Sequence, residues 1–193
     1  SFQFMAGAVS FSMLGDLKLA KYIAIPHLLG ALLIGIIIKK GSISTAFTKE
    51  KKHKYISFYD AFNSSIYKSI TSILSIGGVI VIFSVFSNFF DNLLISVSKY
   101  LPLSINLSDI IHSVLTGILE ISNGCSVTAS SVLPLDVKLI IINFLISFSG
   151  ISVIFQTIAV TNDFDFRISN YVFYKAIQGI LSVIICIGML ILS

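Results

Sequence analysis

Four apolar runs, at about residues 22 to 38, 66 to 90, 138 to 160 and 176 to 193, constrain this chain more than any other feature. Each approaches the ~20 residues that a helix needs to cross ~30 Å of hydrocarbon. Few polar residues interrupt them at helical spacing, as they would in a soluble core. Hydrophobic residues make up 55% of the chain and charged residues only 11%, against roughly 25% charged in an ordinary soluble domain. The sequence therefore predicts an all-α, polytopic membrane protein whose first partner is the lipid bilayer.

The chain opens on Ser1, and residues 1 to 19 read as the tail of a half-apolar segment, because no basic region of a signal peptide precedes them. A fragment of a longer chain is the expectation. Its two cysteines, Cys125 and Cys186, are too few for a zinc site and read as free thiols.

The stretch KKGSISTAFTKEKKHKY, residues 39 to 55, carries six lysines against the single acid Glu50. By the positive-inside rule this short loop is cytoplasmic. A nucleic-acid patch is the other use of such a run, but here no aromatics interleave the lysines and spans flank it. A topology anchor, with no nucleic-acid partner, is the reading that remains. The first span then runs inward and the second, residues 66 to 90, runs back. Residues 56 to 65, with Phe58 and Phe62 near helical spacing, predict an arm in the membrane interface. Residues 91 to 104 predict a second interfacial segment, with Tyr100 at headgroup depth and Pro102 ending any helix.

After residue 107 the pattern changes. DIIHSVLTGILEIS supplies half a span of apolar helix, NGCSVTASS is small and polar, and VLPLD is apolar again. Hydrocarbon tolerates such a polar stretch only where protein or a wet cavity satisfies its backbone. The prediction is a re-entrant hairpin, down as 108 to 121, turning through NGCS, and back as 126 to 135. The next run is long enough to span, yet it carries SFSGIS at its middle and Gln156 one turn later. Small residues there predict a discontinuous helix with free backbone groups facing a ligand. For Ser147, Ser149 and Ser152 close packing and ligand binding are both open readings. For Gln156, whose amide needs a buried partner, binding is the expectation.

The start of the chain lies against its end. Gly7 falls opposite Gly150 and, after a six-residue insertion, Tyr22 opposite Tyr171 and Gly30 opposite Gly179. With the hairpin re-entrant, the two copies would be inverted, the arrangement that transporters use to hold a substrate near the bilayer midplane.

The ordered motifs MLGDLKLAKYIAIPHLLGALLIGI, DAFNSSIYKSITSILSIGGVIVIFSVF, GILEISNGC and SFSGISVIFQ resemble the sporulation integral membrane proteins of the YlbJ type, within the nucleoside-recognition or Gate domain group. SFSGIS is also similar to the broken helix of concentrative nucleoside transporters, and GILEIS lies where their second hairpin carries a binding carboxylate. The resemblance implies residues 1 to 38 as the end of a first Gate-type repeat, 39 to 65 as a basic loop and arm, and 66 to 193 as a second repeat. It also implies a transporter-like protein of endospore formation, in the cell membrane or outer forespore membrane, moving dipicolinate or a similar solute. By matched position Glu120 and Asn123 fall on the hairpin tip, and Ser149, Ser152 and Gln156 on the unwound helix. Such relatives assemble, so a homo-oligomer is consistent with the resemblance.

Glu120 is the acid that this pattern singles out. A buried carboxylate costs several kcal/mol (~) unless paired, so it holds a cation or a solute donor, couples a proton, or caps a backbone break and binds nothing. Dipicolinate is a dianion, which Glu120 repels unless helix N-termini or a bound Ca²⁺ intervene. His27, after Pro26 in YIAIPHLLG, is read either as a packing residue or as a proton or solute ligand. No H-E-x-x-H, glycine-rich phosphate loop or G-x-S-x-G occurs, so neither an enzyme nor a cofactor is expected. A nucleoside-type or cation-coupled carrier and a non-transporting membrane scaffold for spore assembly are the alternatives.

Overall fold

A computed structural model describes residues 1 to 41, 57 to 98, 104 to 161 and 167 to 193. Most of the basic loop lies outside these residues, as do Tyr100 and Pro102. Every regular element among the described residues is helical. A π-helix, Phe4–Met13, and a 3-10 turn, Leu17–Leu19, precede α1 (Ala20–Gly41), α2 (Phe58–Ser98), α3 (Ile105–Leu119), α4 (Ile121–Ser130), α5 (Leu135–Phe148), α6 (Gly150–Val160) and α7 (Ile168–Ile191). Four segments are long and apolar enough to span a membrane: Leu17–Lys39, Phe58–Leu94, Leu135–Val160 and Ile168–Ile191. These are the four runs of the sequence.

The π-helix follows from its small side chains. Ser10 and Ser12 donate from Oγ to the carbonyls five residues back, of Met5 and Gly7, at 2.8 and 3.0 Å, which favours the wider turn.

Helix α2 corrects the expected interfacial segments. Residues 58 to 65 and 91 to 98 are continuous with the span, in one helix of 41 residues about 62 Å long at 1.5 Å per residue. No proline breaks it, and nothing packs within 4 Å of where a side chain on Gly77 or Gly78 would begin. Its large apolar residues, such as Phe86 and Phe89, face outward, and it meets the other helices chiefly through α6 and α3.

The α5–α6 segment is the most enclosed of the four. Helix α5 packs on α7, α1 and α4, burying Leu139, Ile142 and Ile146 among Val9, Ile23, Cys125 and Cys186. On its other side Leu145 joins Ile141 and Leu133 against α3. Helices α1 and α5 run parallel, since Tyr22 meets Asn143 and His27 meets Ser147. Helix α7 opposes them, since Ser182 meets Asn143 while Gln178 reaches the carbonyl of His27.

A proline inside α1 is accommodated by that packing. Pro26 has no N–H, so the carbonyl of Tyr22, one turn earlier, loses its helical partner. Asn143 supplies the replacement, donating from Nδ2 at 2.8 Å. Its amide also donates to Leu139 O and Cys186 Sγ and accepts from Ser182. A fully buried amide is thereby satisfied and ties three helices together.

Candidate functional site

Glu120 is the single extended residue between α3 and α4, at φ −142° and ψ 119°. Its N–H closes α3 on Thr116 O at 2.9 Å, and its carbonyl accepts from Gly124 N at 3.0 Å. Its side chain caps α4, Oε2 accepting from the N–H of Asn123 at 2.7 Å. The chain doubles back here, because Val132 beyond α4 donates to Asp109 near the start of α3 at 3.2 Å. Helices α3 and α4 form a hairpin whose tip is Glu120, whereas the NGCS stretch expected to form the turn is helical, inside α4. Glycine pairing lets the two helices close. A Cβ on Gly124 would stand 2.1 Å from the Cα of Gly117, so the helices close tightly on glycines that flank Glu120.

Glu120 is 2% exposed. A serine or aspartate would cap α4 as well; glutamate brings a longer side chain and a second carboxylate oxygen, Oε1, besides the one that caps. The Nδ2 of Asn123 is buried and unpartnered, as are the hydroxyls of Ser87 and Ser113. Buried polar atoms without partners are rare, and each calls for a reason.

The second break lies in the α5–α6 segment and is only two residues long. Ser149 takes φ +76° and Gly150 φ +70°, left-handed conformations that turn the chain without a loop. Ser149 N–H closes α5 on Leu145 O at 2.8 Å, while α6 starts with no side-chain cap. Its first N–H groups therefore lack the partners that a cap supplies. A Cβ on Gly150 would stand 2.9 Å from Gly117 O and 3.3 Å from Ile118 O. Glycine at this point lets the break press directly on the hairpin tip. The two interruptions meet.

Of the residues singled out by sequence, Glu120, Asn123 and Ser149 lie at this junction. Ser152 follows within the first turn of α6, fully buried, and accepts from Gln156 Nε2 at 3.0 Å. His27 does not join them. Its Nδ1 lies 3.1 Å from Ser147 Oγ, two positions along α5 from Leu145, which packs on Gly117. Two positions on a helix are about 200° apart, so His27 belongs to the opposite side of α5. There Lys175 donates to Gln178 Oε1 at 3.0 Å and Gln178 reaches His27 O at 3.4 Å.

Three features escaped the sequence reading. Asn143 was legible as the lone amide in LIIINFLI, a type that apolar spans rarely carry without cause. The node joining Asp91 of α2 to Thr116 and His112 of α3, with His112 Nε2 at 3.1 Å, gave no signal across 21 residues. Ser87 looked like any small residue in a span. At the hairpin's open end an open pocket of about 270 Å³ is lined by Asp109, His112, Val127, Ser130 and Ser131. Among the described residues no group of three or more His, Cys, Asp or Glu side chains is placed to hold a metal ion. The junction offers one carboxylate oxygen and several hydrogen-bond donors, a set that suits an oxygen-bearing solute.

The chain is similar to the sporulation integral membrane protein YlbJ of Bacillus subtilis (strain 168), with 25% identity over 203 residues, covering 92% of this chain and 50% of that protein. It thus spans about half the length of the curated relative it matches. No family model matches the chain, and no solved structure matches it. With four helices of spanning length and composition, the similarity supports an assignment to the YlbJ type and an integral membrane protein.

Proposed function

We propose that this chain forms part of a membrane carrier acting in endospore formation, with the Glu120 junction as its solute site. The observation that carries this reading is the apposition of two broken elements, a hairpin tip and a left-handed helix break, with Gly150 against Gly117. Spanning proteins tolerate interrupted backbone where it is buried in protein or lines a cavity, and carriers place such breaks at the substrate. A membrane role in sporulation comes from the similarity to a sporulation integral membrane protein. Dipicolinate is the solute that the YlbJ resemblance implies. Inverted repeats and coupling to a proton or cation complete the proposal, in which the chain is a carrier and not an enzyme.

Chemically, the donors at the junction, Asn123 Nδ2 and the uncapped start of α6, receive solute carboxylate oxygens. The partial positive charge of a helix N-terminus offsets part of the repulsion from Glu120. One observation favours a scaffold instead: Glu120 already has a structural task as the cap of α4. Reconstitution separates the two. The whole protein in liposomes should exchange labelled dipicolinate across the bilayer, with the rate depending on pH; liposomes no leakier than protein-free controls would remove the carrier reading.

A further inference from the structure

Ser87 is the only buried residue of α2 among those described, and it is fully buried. At every other position of this helix whose burial is described, the side chain is partly or wholly exposed. The buried residue is not an apolar anchor but a serine, and its hydroxyl has no partner, not even the carbonyl one turn back. A helical serine usually satisfies itself there, as Ser65 and Ser96 of the same helix do at 2.8 Å each. Leaving a buried hydroxyl unpaired costs stability, so its position calls for another explanation.

Two contacts on the same stripe of α2 locate it. One turn before it the ring of Phe83 packs on Phe155 of α6, with centroids 5.3 Å apart. One turn after it Asp91 accepts from Thr116 and pairs with His112 of α3. Residues four apart lie above one another on a helix face, so Ser87 looks into the seam between α6 and α3. Helix α2 runs antiparallel to α6, since Tyr67 to Ser75 line one pocket with Ala159 and Val160 while Phe83 meets Phe155, and antiparallel to α3, since Gly150 at the start of α6 meets Gly117 and Ile118, beyond the His112 and Thr116 that Asp91 meets. Moving one turn from Asp91 toward Ser87 advances along α3 from Thr116 toward Glu120. Moving one turn from Phe83 toward Ser87 retreats along α6 from Phe155 toward Ser152 and Gly150. Both registers lead to one level, where Gly150 meets the carbonyls of Gly117 and Ile118.

The geometry points to Ser87 as a solute-binding residue contributed by α2, its hydroxyl donating to a carboxylate or carbonyl oxygen held at the Glu120 junction. The inference rests on the carrier reading and extends it. The site then has three walls, the hairpin tip, the start of α6 and α2, and its buried unpaired groups include Asn123 Nδ2 as well as Ser87 Oγ. Oxygen-rich anions fit such a donor set, whereas solutes that offer only donors do not.

The test is dipicolinate binding by the whole protein in lipid nanodiscs, together with thermal stability. Ser87→Ala should weaken binding about tenfold, as losing one hydrogen bond to a charged group does, while stability stays equal or rises because an unpaired buried hydroxyl is removed. Ser87→Cys, which restores volume with a poor donor, should bind as weakly as Ser87→Ala. Ser96→Ala, exposed on the same helix, should bind as wild type does. Unchanged dipicolinate binding by Ser87→Ala overturns the inference and leaves the carrier reading intact. Full rescue by Ser87→Cys, or lower stability in Ser87→Ala, makes Ser87 a packing residue and overturns it too. Wild-type protein that fails to bind dipicolinate overturns both.

Discussion

Replacing Asn143 should destabilise the protein through the carbonyl that Pro26 leaves free, and restoring an N–H at position 26 should repair much of the damage. In Asn143→Leu the side chain keeps its bulk, but Tyr22 O loses the donor at 2.8 Å and Ser182 loses an acceptor at 3.2 Å. An orphaned buried polar group costs about 1 to 3 kcal/mol. Side-chain hydrogen bonds within membranes average about 0.6 and reach about 1.7 kcal/mol, so a loss of about 1 to 2 kcal/mol is expected. In Pro26→Ala the new N–H competes with Asn143 for the same oxygen and gains little; in the double variant it has Tyr22 O to itself. The two substitutions should therefore couple by about 1 kcal/mol in the stabilising direction. Effects of Pro26→Ala on the unfolded chain occur in both backgrounds and cancel from the cycle. Reversible unfolding of the four proteins in mixed micelles titrated with SDS measures the coupling. Additivity within about 0.3 kcal/mol would refute the claim that Asn143 replaces the missing donor.

Further outcomes follow from the tip and the break. Gly124→Ala places a methyl 2.1 Å from the Cα of Gly117; neither backbone can yield cheaply, so a loss of about 3 kcal/mol or more should appear as poor accumulation in the membrane, and a wild-type level on a blot would contradict the tight hairpin. Ser149→Gly removes the penalty of a left-handed non-glycine residue, about 1 kcal/mol; its melting temperature should hold or rise while solute affinity falls, and unchanged affinity would separate Ser149 from the site. Cys125 and Cys186 are both fully buried, so neither should react with a maleimide until the protein is unfolded, which mass spectrometry detects directly.

Much of the fold was legible because a bilayer is a strict solvent: the four apolar runs became the four candidate spans, and the helix break fell at SFSGIS. Local capping was less visible. The hairpin turned at Glu120 because an acid can end one helix and cap the next, whereas polarity and small size pointed to NGCS. Helix α2 was longer than its apolar run, since polarity at a span's ends does not stop a helix that lacks a breaker. The candidate site was legible in its residue types rather than in its assembly. Glu120, Asn123 and Ser149 were marked by unusual residue types in apolar surroundings, but Ser87 acquires meaning only from the register of α2 against two distant helices. His27 was marked in the same way, yet the side of α5 it meets is a tertiary fact.

The central claim is that Glu120 serves a solute as well as the hairpin. Glu120→Gln tests it most directly, because the amide oxygen of glutamine can still accept from Asn123 N–H, the 2.7 Å bond that caps α4, so only the charge and the proton site are lost. The measurement is the dipicolinate content of spores whose full-length protein carries this change, with membrane levels matched to wild type by blot. The account predicts spores nearly devoid of dipicolinate at normal protein levels; wild-type dipicolinate would contradict it and leave Glu120 as a helix cap alone.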